Sequence, residues 1–384
     1  IKLSVAIIFT MTTEIEVKSR EDIIKFIENN TRRAWNATLL LIAAIGGIFV
    51  DGYDTGAVSF GLSTIIPLFH LTPLETTLVG SFVALGSIIG GYFASLVLDK
   101  LGRRVWFVIT LLVFIVGAIV SALAVNAAML YIGRLLLGFG IGMDYAVAFS
   151  YIPEVSNRFT KARNANFQQF MFFGGLMVAG AIGIAALVLG AGLNYWRWIL
   201  GSGAIFAAIF LTLRQIYIIE SPMWLAYYAP IDEAIRTLEL TYNVKVRISE
   251  EDRKKLESPL ARREQVKMSE LFSKIYRRIT WATTFLSIFQ GFEYYGVIFY
   301  FPLIMTFLFP HASLITTLWE SDVYYAIGFG VGGGMAFIVH KLGLKRTIII
   351  GAIVVFLSAF LIGVLGPILG MVFIAVALGF YIAG

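Results

Sequence analysis

The 384-residue chain has no cysteine, three histidines and few charges. Without cysteine there is neither a disulfide nor a thiolate metal site, although this leaves the redox compartment open. His70, His311 and His340 are scattered, so no metal-ligand spacing arises and no metal is expected. Charged residues make up 14% of the chain, against about 25% in a soluble domain. Apolar residues take their place, at 59% hydrophobic and 15% aromatic. One soluble core cannot use that much apolar surface, so the composition predicts an all-α, polytopic membrane protein. A net charge of +6 would suggest nucleic acid as the partner of a soluble chain. Here the charges sit between long apolar runs, and no nucleic acid is expected.

Apolar spans of about 20 residues are read at 35–60, 77–98, 105–124, 128–152, 168–191, 197–217, 279–307, 322–340, 347–366 and 367–384. Lys and Arg crowd the segment before the first span (Lys18, Arg20, Lys25, Arg32, Arg33) and every second loop after it. Arg197 is the exception. The positive-inside rule then makes the N-terminus cytoplasmic and the protein a multi-pass cell-membrane protein, with the lipid bilayer as a partner. Ile1–Phe9 is apolar but too short to span, and Met11 is a candidate start. A charged stretch follows it in place of a small-residue cleavage site, so a cleaved signal peptide is not expected.

Two short basic hairpins organise the chain. Asp99-Lys100-Leu101-Gly102-Arg103-Arg104 and His340-Lys341-Leu342-Gly343-Leu344-Lys345-Arg346 each join two apolar spans, and their central glycines lie 241 residues apart. A tight basic loop repeated at that interval predicts two copies of one unit, the layout of a transporter with its site between two halves. The predicted division is a cytoplasmic segment over 1–34, a six-helix half over 35–217, a cytoplasmic linker over 218–278 and a second half over 279–384. Ten spans are read where the repeat expects twelve, so two further spans are expected beyond Gly384. Inside the linker, Glu250–Lys255 and Arg262-Arg263 sit in helical-looking stretches. A solvated amphipathic loop on the membrane is the plain reading, and a regulatory docking surface is the other.

Asp51, Asp54, Arg134, Asp144 and Glu293 fall within apolar spans, where a charge costs a few kcal/mol unless it is paired or faces a cavity. Counting from the outer ends of the first and fourth spans puts Asp54 and Arg134 at one depth, about 9 Å below the surface at 1.5 Å per residue. Such a pair can switch, because protonating Asp54 frees Arg134. Shifting Asp51 by the repeat lands beside Glu293, so the two acids are expected at matching depths. Around Glu293, Phe289, Phe292, Tyr294, Tyr295 and Tyr300 are either stacking surfaces for a sugar ring or ordinary packing. Gly140-x-Gly142 and Gly332-Gly333-Gly334 lack the preceding strand and the following Lys-Ser/Thr of a phosphate loop. They read as close helix packing, and ATP is not expected as an energy source.

These residues resemble the major facilitator superfamily, in its sugar-and-related-solute porter branch. The resemblance covers nearly the whole chain. It rests on Asp99–Arg104, Gly52-Tyr53-Asp54-Thr55-Gly56, Arg134-x-x-x-Gly138-x-Gly140-x-Gly142, Glu154, and Glu220-Ser221-Pro222-Met223-Trp224-Leu225. Met223 stands where the family has Arg, and His340 where it has an acid. The resemblance implies a major facilitator fold of twelve helices in two pseudo-symmetric halves, both termini cytoplasmic, working by alternating access and not as an enzyme. It further implies that Asp54 and Arg134 couple protons, with Asp51, Asp144 and Glu293 as further candidates. Asp99, Gly102, Arg103, Arg104, Glu154, Arg163 and Glu220 would form the cytoplasmic gate. No cofactor and a monomer are expected.

For the solute, two patterns compete. Gln168, Gln169 and Gln290 fit the amide positions with which sugar porters bond hydroxyl groups, with Glu293, Tyr294 and Tyr300 nearby. Yet Gly291 follows Gln290 and Gly296 stands near the expected Asn, which breaks the sugar pattern of the seventh span. Asp51-Gly52-Tyr53-Asp54, Gly142-Met143-Asp144-Tyr145 and the acid at 293 instead resemble the phosphate–proton symporters of the branch, in which the Tyr touches the anion. The expected activity is proton symport of a small polar, sugar-like solute. Phosphate or organic-anion symport is the alternative, and a non-transporting nutrient sensor with this fold is the alternative of another class. A passive uniporter would not need Asp54.

Overall fold

The structure is a computed structural model and describes residues 14–30, 37–157, 160–257, 268–293, 296 and 298–365. The tenth predicted span and Ile1–Phe9 lie outside the described residues. The chain is almost wholly helical. Six spans form the first half: α2 (Ala37–Phe69), α3 (Pro73–Leu101), α4 (Arg103–Ala122), α5 (Ala127–Val155), α6 (Lys161–Val188) and α7 (Tyr195–Tyr217). Among the described residues, six helices are long and apolar enough to cross a membrane, and all belong to this set. The later elements are α11 (Arg277–Glu293), α12 (Phe301–Leu308), α13 (Leu314–Leu342) and α14 (Leu344–Leu365).

Local chemistry explains the outer turns. His70 takes a positive φ of 51° and ends α2. Two residues later Thr72 opens α3, its hydroxyl accepting from Glu75 N–H at 3.3 Å while its own N–H donates to Glu75 at 2.8 Å. Pro73 occupies the first helical position. Asn126 caps α5 in the same way. The isolated outer cation, Arg197, donates to the carbonyl of Ala122 at the last residue of α4, at 2.8 Å, and lies over the Trp196 ring. It satisfies a helix C-terminus, which explains a positive charge at the end opposite the hairpins.

Glycines let the spans touch backbone to backbone. A Cβ built at Gly138 would lie 2.1 Å from the carbonyl oxygen of Val83, and one at Gly142 would lie 2.0 Å from that of Ser87. Gly140 turns the other way, toward α4. The glycine run of the fourth span is therefore a packing device between α3 and α4, as its lack of phosphate-loop context predicts.

The two hairpins have one geometry. α3 and α4 are separated by Gly102 at φ +83°, and α13 and α14 by Gly343 at φ +82°. Both also lie at one end of the bundle. Arg103 meets Glu154 near the end of α5, and Phe337 of α13 meets Phe167 near the start of α6. The repeat read from sequence is thus a structural repeat.

Two expectations are corrected. The first span does not stop at residue 60: α2 runs on to Phe69. Its hydroxyls find partners inside the bundle, as when Thr64 donates to the carbonyl of Gly61 at 2.9 Å, so polar residues do not end the helix. Nor is the linker a solvated loop. β1 (Glu14–Glu16) and α1 (Arg20–Asn29) join α8 (Pro222–Tyr228), α9 (Ile231–Tyr242), β2 (Lys245–Arg247) and α10 (Glu250–Glu257) around a separate core. Ile23 and Ile27 are buried there with Leu225, Ile231, Leu238 and Leu256. β1 pairs with β2 in parallel, Glu14 opposite Lys245.

Candidate functional site

Asp51 and Asp54 stand one turn apart on α2, and both are buried. Asp54 is 3% exposed and its partner Arg134 on α5 is 1% exposed. Arg134 Nη1 lies 2.7 Å from Oδ1 and 2.6 Å from Oδ2 of Asp54. The predicted pair forms, but the depth count behind it does not hold. Asp54 is near the middle of α2, whereas Arg134 is in the second turn of α5, so the long arginine side chain spans the offset.

Tyr145, one turn from Ile141 on α5, donates its hydroxyl to Asp51 Oδ2 at 2.9 Å. Its neighbour Asp144 meets Arg214 of α7, at 2.5 Å to Nη1 and 3.0 Å to Nη2. The Thr110 hydroxyl also donates to Asp144, at 2.7 Å. A side chain on α2 at position 47 would collide with this cluster, since a Cβ there would lie 1.8 Å from Asp144 Oδ2. Arg214 escaped the sequence reading because it sits at the basic end of the sixth span, where a positive charge is expected anyway. Its signal was an Arg inside the apolar count, three residues before the span ends at Tyr217.

At the hairpin end, Arg103 gathers carboxylates. It donates to Asp99 at 2.7 Å and to Glu154 at 2.9 Å. Glu220 accepts the backbone N–H groups of Arg103 and Arg104, at 2.8 and 3.2 Å. Glu220, from outside the hairpin, therefore caps α4, and Asp99 holds the Arg103 guanidinium. A carboxylate at the positive end of α4 is favoured by the helix dipole as well as by the two donors. Arg104 reaches the carbonyl of Gln215 at 3.3 Å.

A cavity of about 550 Å³ opens at this same end, lined by Thr38 and Ile45 of α2, Ile152 of α5, Phe170 and Met171 of α6 and Phe337 of α13. Ile27 and Asn30, from α1 and its cap, also face it. Gln168 is buried and Gln169 half-buried on α6 beside these residues. Neither lines the cavity among the described residues. Tyr300 is half-buried at the start of α12 and packs edge-on against Phe299. Tyr294 lies outside the described residues, as do the side chains of Arg163, Gln290 and Glu293. The sequence reading also missed Glu320 and Asp322, acids that fall at the edge of its eighth span but well inside α13.

The sequence model of the sugar (and other) transporter family matches residues 39–384. The chain belongs to that family. Among members of this transporter family, the arabinose-proton symporter of Bacillus subtilis is 29% identical over 264 residues, covering 66% of this chain and 56% of the relative. The glucose transporter GlcP of Staphylococcus epidermidis is 29% identical over 53% of this chain and 45% of its own length. The D-xylose transporter of Levilactobacillus brevis is 30% identical over 72% and 59%. The chain thus spans about half the length of these curated relatives. The proton:xylose symporter XylE bound to 6-bromo-6-deoxy-D-glucose superposes with a TM-score of 0.71 at 22% identity, over 91% of this chain and 81% of that one. A partially occluded, inward-open XylE from E. coli gives 0.70 at 20% identity, over 90% and 85%. The fold is therefore the all-α major facilitator fold, and the protein is a multi-pass membrane protein of the transporter family.

Proposed function

We propose that this protein is a secondary active transporter that carries a small polar, sugar-like solute together with protons. Its N-terminus is cytoplasmic, and the working unit is a monomer in the cell membrane. The observation that carries the reading is the buried Asp54–Arg134 pair. An ion pair in a membrane interior is expensive to keep unless its separation has a use, and a carboxylate that alternates between paired and protonated states is a proton carrier. Asp51, held by Tyr145 one turn away, is the next group in line. The relatives named for arabinose, glucose and xylose support a sugar-like solute. So does Asp144, since a phosphate-type carrier would need that acid free to take a proton and Tyr145 free to touch the anion.

In this reading residues 35–217 and 279–384 are the two moving halves, and 218–278 joins them on the cytoplasmic face. Asp99, Gly102, Arg103, Arg104, Glu154, Arg163 and Glu220 form the gate there. The solute site in this reading has Gln168, Gln169, Gln290, Glu293, Tyr294 and Tyr300 around it, between the two halves. The test is uptake into proteoliposomes of labelled aldopentoses, aldohexoses, inositol, phosphate and organic acids, with and without an inward pH gradient. Sugar accumulation that needs the gradient supports the reading. Gradient-independent equilibration points to a uniporter, phosphate accumulation to the other carrier type, and no uptake at all to a sensor.

A further inference from the structure

α6 and α13 run antiparallel and touch along the seam between the halves. Gly183 meets Leu318, Gly180 meets Asp322, Gly174 meets Phe329, and Phe173 meets Gly328. Asp322 stands eight residues into α13, about 12 Å from its outer end at 1.5 Å per residue. A Cβ built at Gly180 would lie 2.3 Å from Asp322 Oδ1 and 2.8 Å from the Phe60 ring. The carboxyl therefore fits only because α6 presents a glycine there.

Asp322 Oδ1 is buried and has no hydrogen-bond partner among the described residues. The groups that face it are apolar or neutral. α6 offers Gly180, and α2 offers Phe60 and the 1%-exposed Ser59, whose side chain lies beside the Tyr325 hydroxyl. On α13 itself Tyr325 gives its hydroxyl to the carbonyl of Ile298 at 2.8 Å. The nearby acid Glu320 also has a buried oxygen without a hydrogen-bond partner among the described residues. The cations of the first half are engaged elsewhere, Arg134 by Asp54 and Arg197 by Trp196 and Ala122. The residue is half-buried with Oδ1 turned into this slot, where nothing on the facing elements offsets a charge on that oxygen.

We propose that Asp322 is a second proton site of this protein, whose neutral form lets α6 and α13 close over it and whose ionised form holds the outer seam open to water. The proposal rests on the reading of proton-coupled transport. The only chemical step is transfer of one proton between water and a carboxylate oxygen. With the seam open Asp322 is hydrated and takes a proton from the outer side. Once neutral, it is buried against Gly180.

Because the chain has no cysteine, Leu189→Cys and Ile315→Cys give two clean labelling sites at the outer ends of α6 and α13, at 86% and 44% exposure. Electron–electron distances between spin labels there, measured in lipid nanodiscs without solute or gradient, report the seam. The distance is expected to be short at acid pH and to lengthen on going alkaline. Asp322→Asn and Asp322→Ser should both remove this shift and stay short, while Asp54→Asn keeps it. Gly180→Ala, which retains the acid but fills its slot, should stay long even at acid pH. A shift that survives both Asp322 variants, or an unsubstituted protein with no shift, overturns the proposal, as does a Gly180→Ala seam that closes normally. None of these readings depends on solute uptake, so a failure of proton-driven accumulation is seen separately.

Discussion

Arg214 holds Asp144 with two nitrogens and spends its remaining donors on the carbonyls of Ala43, Ala44 and Phe107. Every N–H of that guanidinium aimed inward has an acceptor. Arg134 differs: Nη1 alone serves both oxygens of Asp54, and its buried Nε has no hydrogen-bond partner among the described residues. The first guanidinium is therefore the more fully held of the two. Asp144→Asn should therefore act on stability. Breaking a buried pair by removing one partner costs about 3–5 kcal/mol, so a clear drop in melting temperature is expected, with residual transport scaling with folded protein. A variant that melts like the parent yet loses pH-driven accumulation would return Asp144 to the proton carriers.

Asp54→Asn should separate exchange from accumulation. The neutral amide imitates the protonated carboxyl and leaves Arg134 unpaired, so counterflow exchange is expected to continue. Concentration of solute against its gradient is expected to disappear. If the Asn variant still concentrates solute, the coupling site is elsewhere.

The two hairpin glycines give a matched comparison. Gly102 has φ 83° and ψ 165°, a region that is essentially glycine-only and costs other residues about 1–3 kcal/mol. A Cβ there would also lie 2.4 Å from Glu220 Oε2, whereas one at Gly343 meets nothing within 4 Å. Gly102→Ala should lower the melting temperature more than Gly343→Ala, by a further cap-sized loss of about 1 kcal/mol. Glu220→Gln should recover part of that difference between the two backgrounds. Equal melting temperatures for the two alanine variants would remove Glu220 from the argument.

The small core beneath the bundle can be tested apart from transport. Ile23 is fully buried in it, and truncating a buried Ile to Ala costs about 2–5 kcal/mol. Ile23→Ala should expose Arg253 and Lys254 of α10 to trypsin while leaving the melting of the six-span bundle nearly unchanged. Resistance equal to that of the parent would mean that α1 does not support the linker.

Much of the fold was legible because membrane spans announce themselves by apolar length, and because one glycine hairpin occurs twice. The site was legible where a charge interrupts an apolar run, as at Asp51, Asp54, Arg134 and Asp144. Arg214 and Asp322 were missed because each lies near the end of a run, where a charge carries no surprise; only the packing of α5 on α7 and of α6 on α13 gives them meaning. The Asp54–Arg134 pair was reached by a count that placed the end of α2 too early. The linker core was invisible for a different reason. Its strands are three residues long and pair across a stretch that contains all six spans of the first half, so no local pattern marks them.

That pairing has a consequence for how the chain is made. β1 is made before the six spans of the first half but has no partner until β2 emerges after them. Ile23 and Ile27 must wait equally long for Leu225 and Leu238. The segment of β1 and α1 is thus among the last parts of the first half to fold, because its contacts are so non-local. Its docking marks the moment at which six inserted helices have become one closed unit.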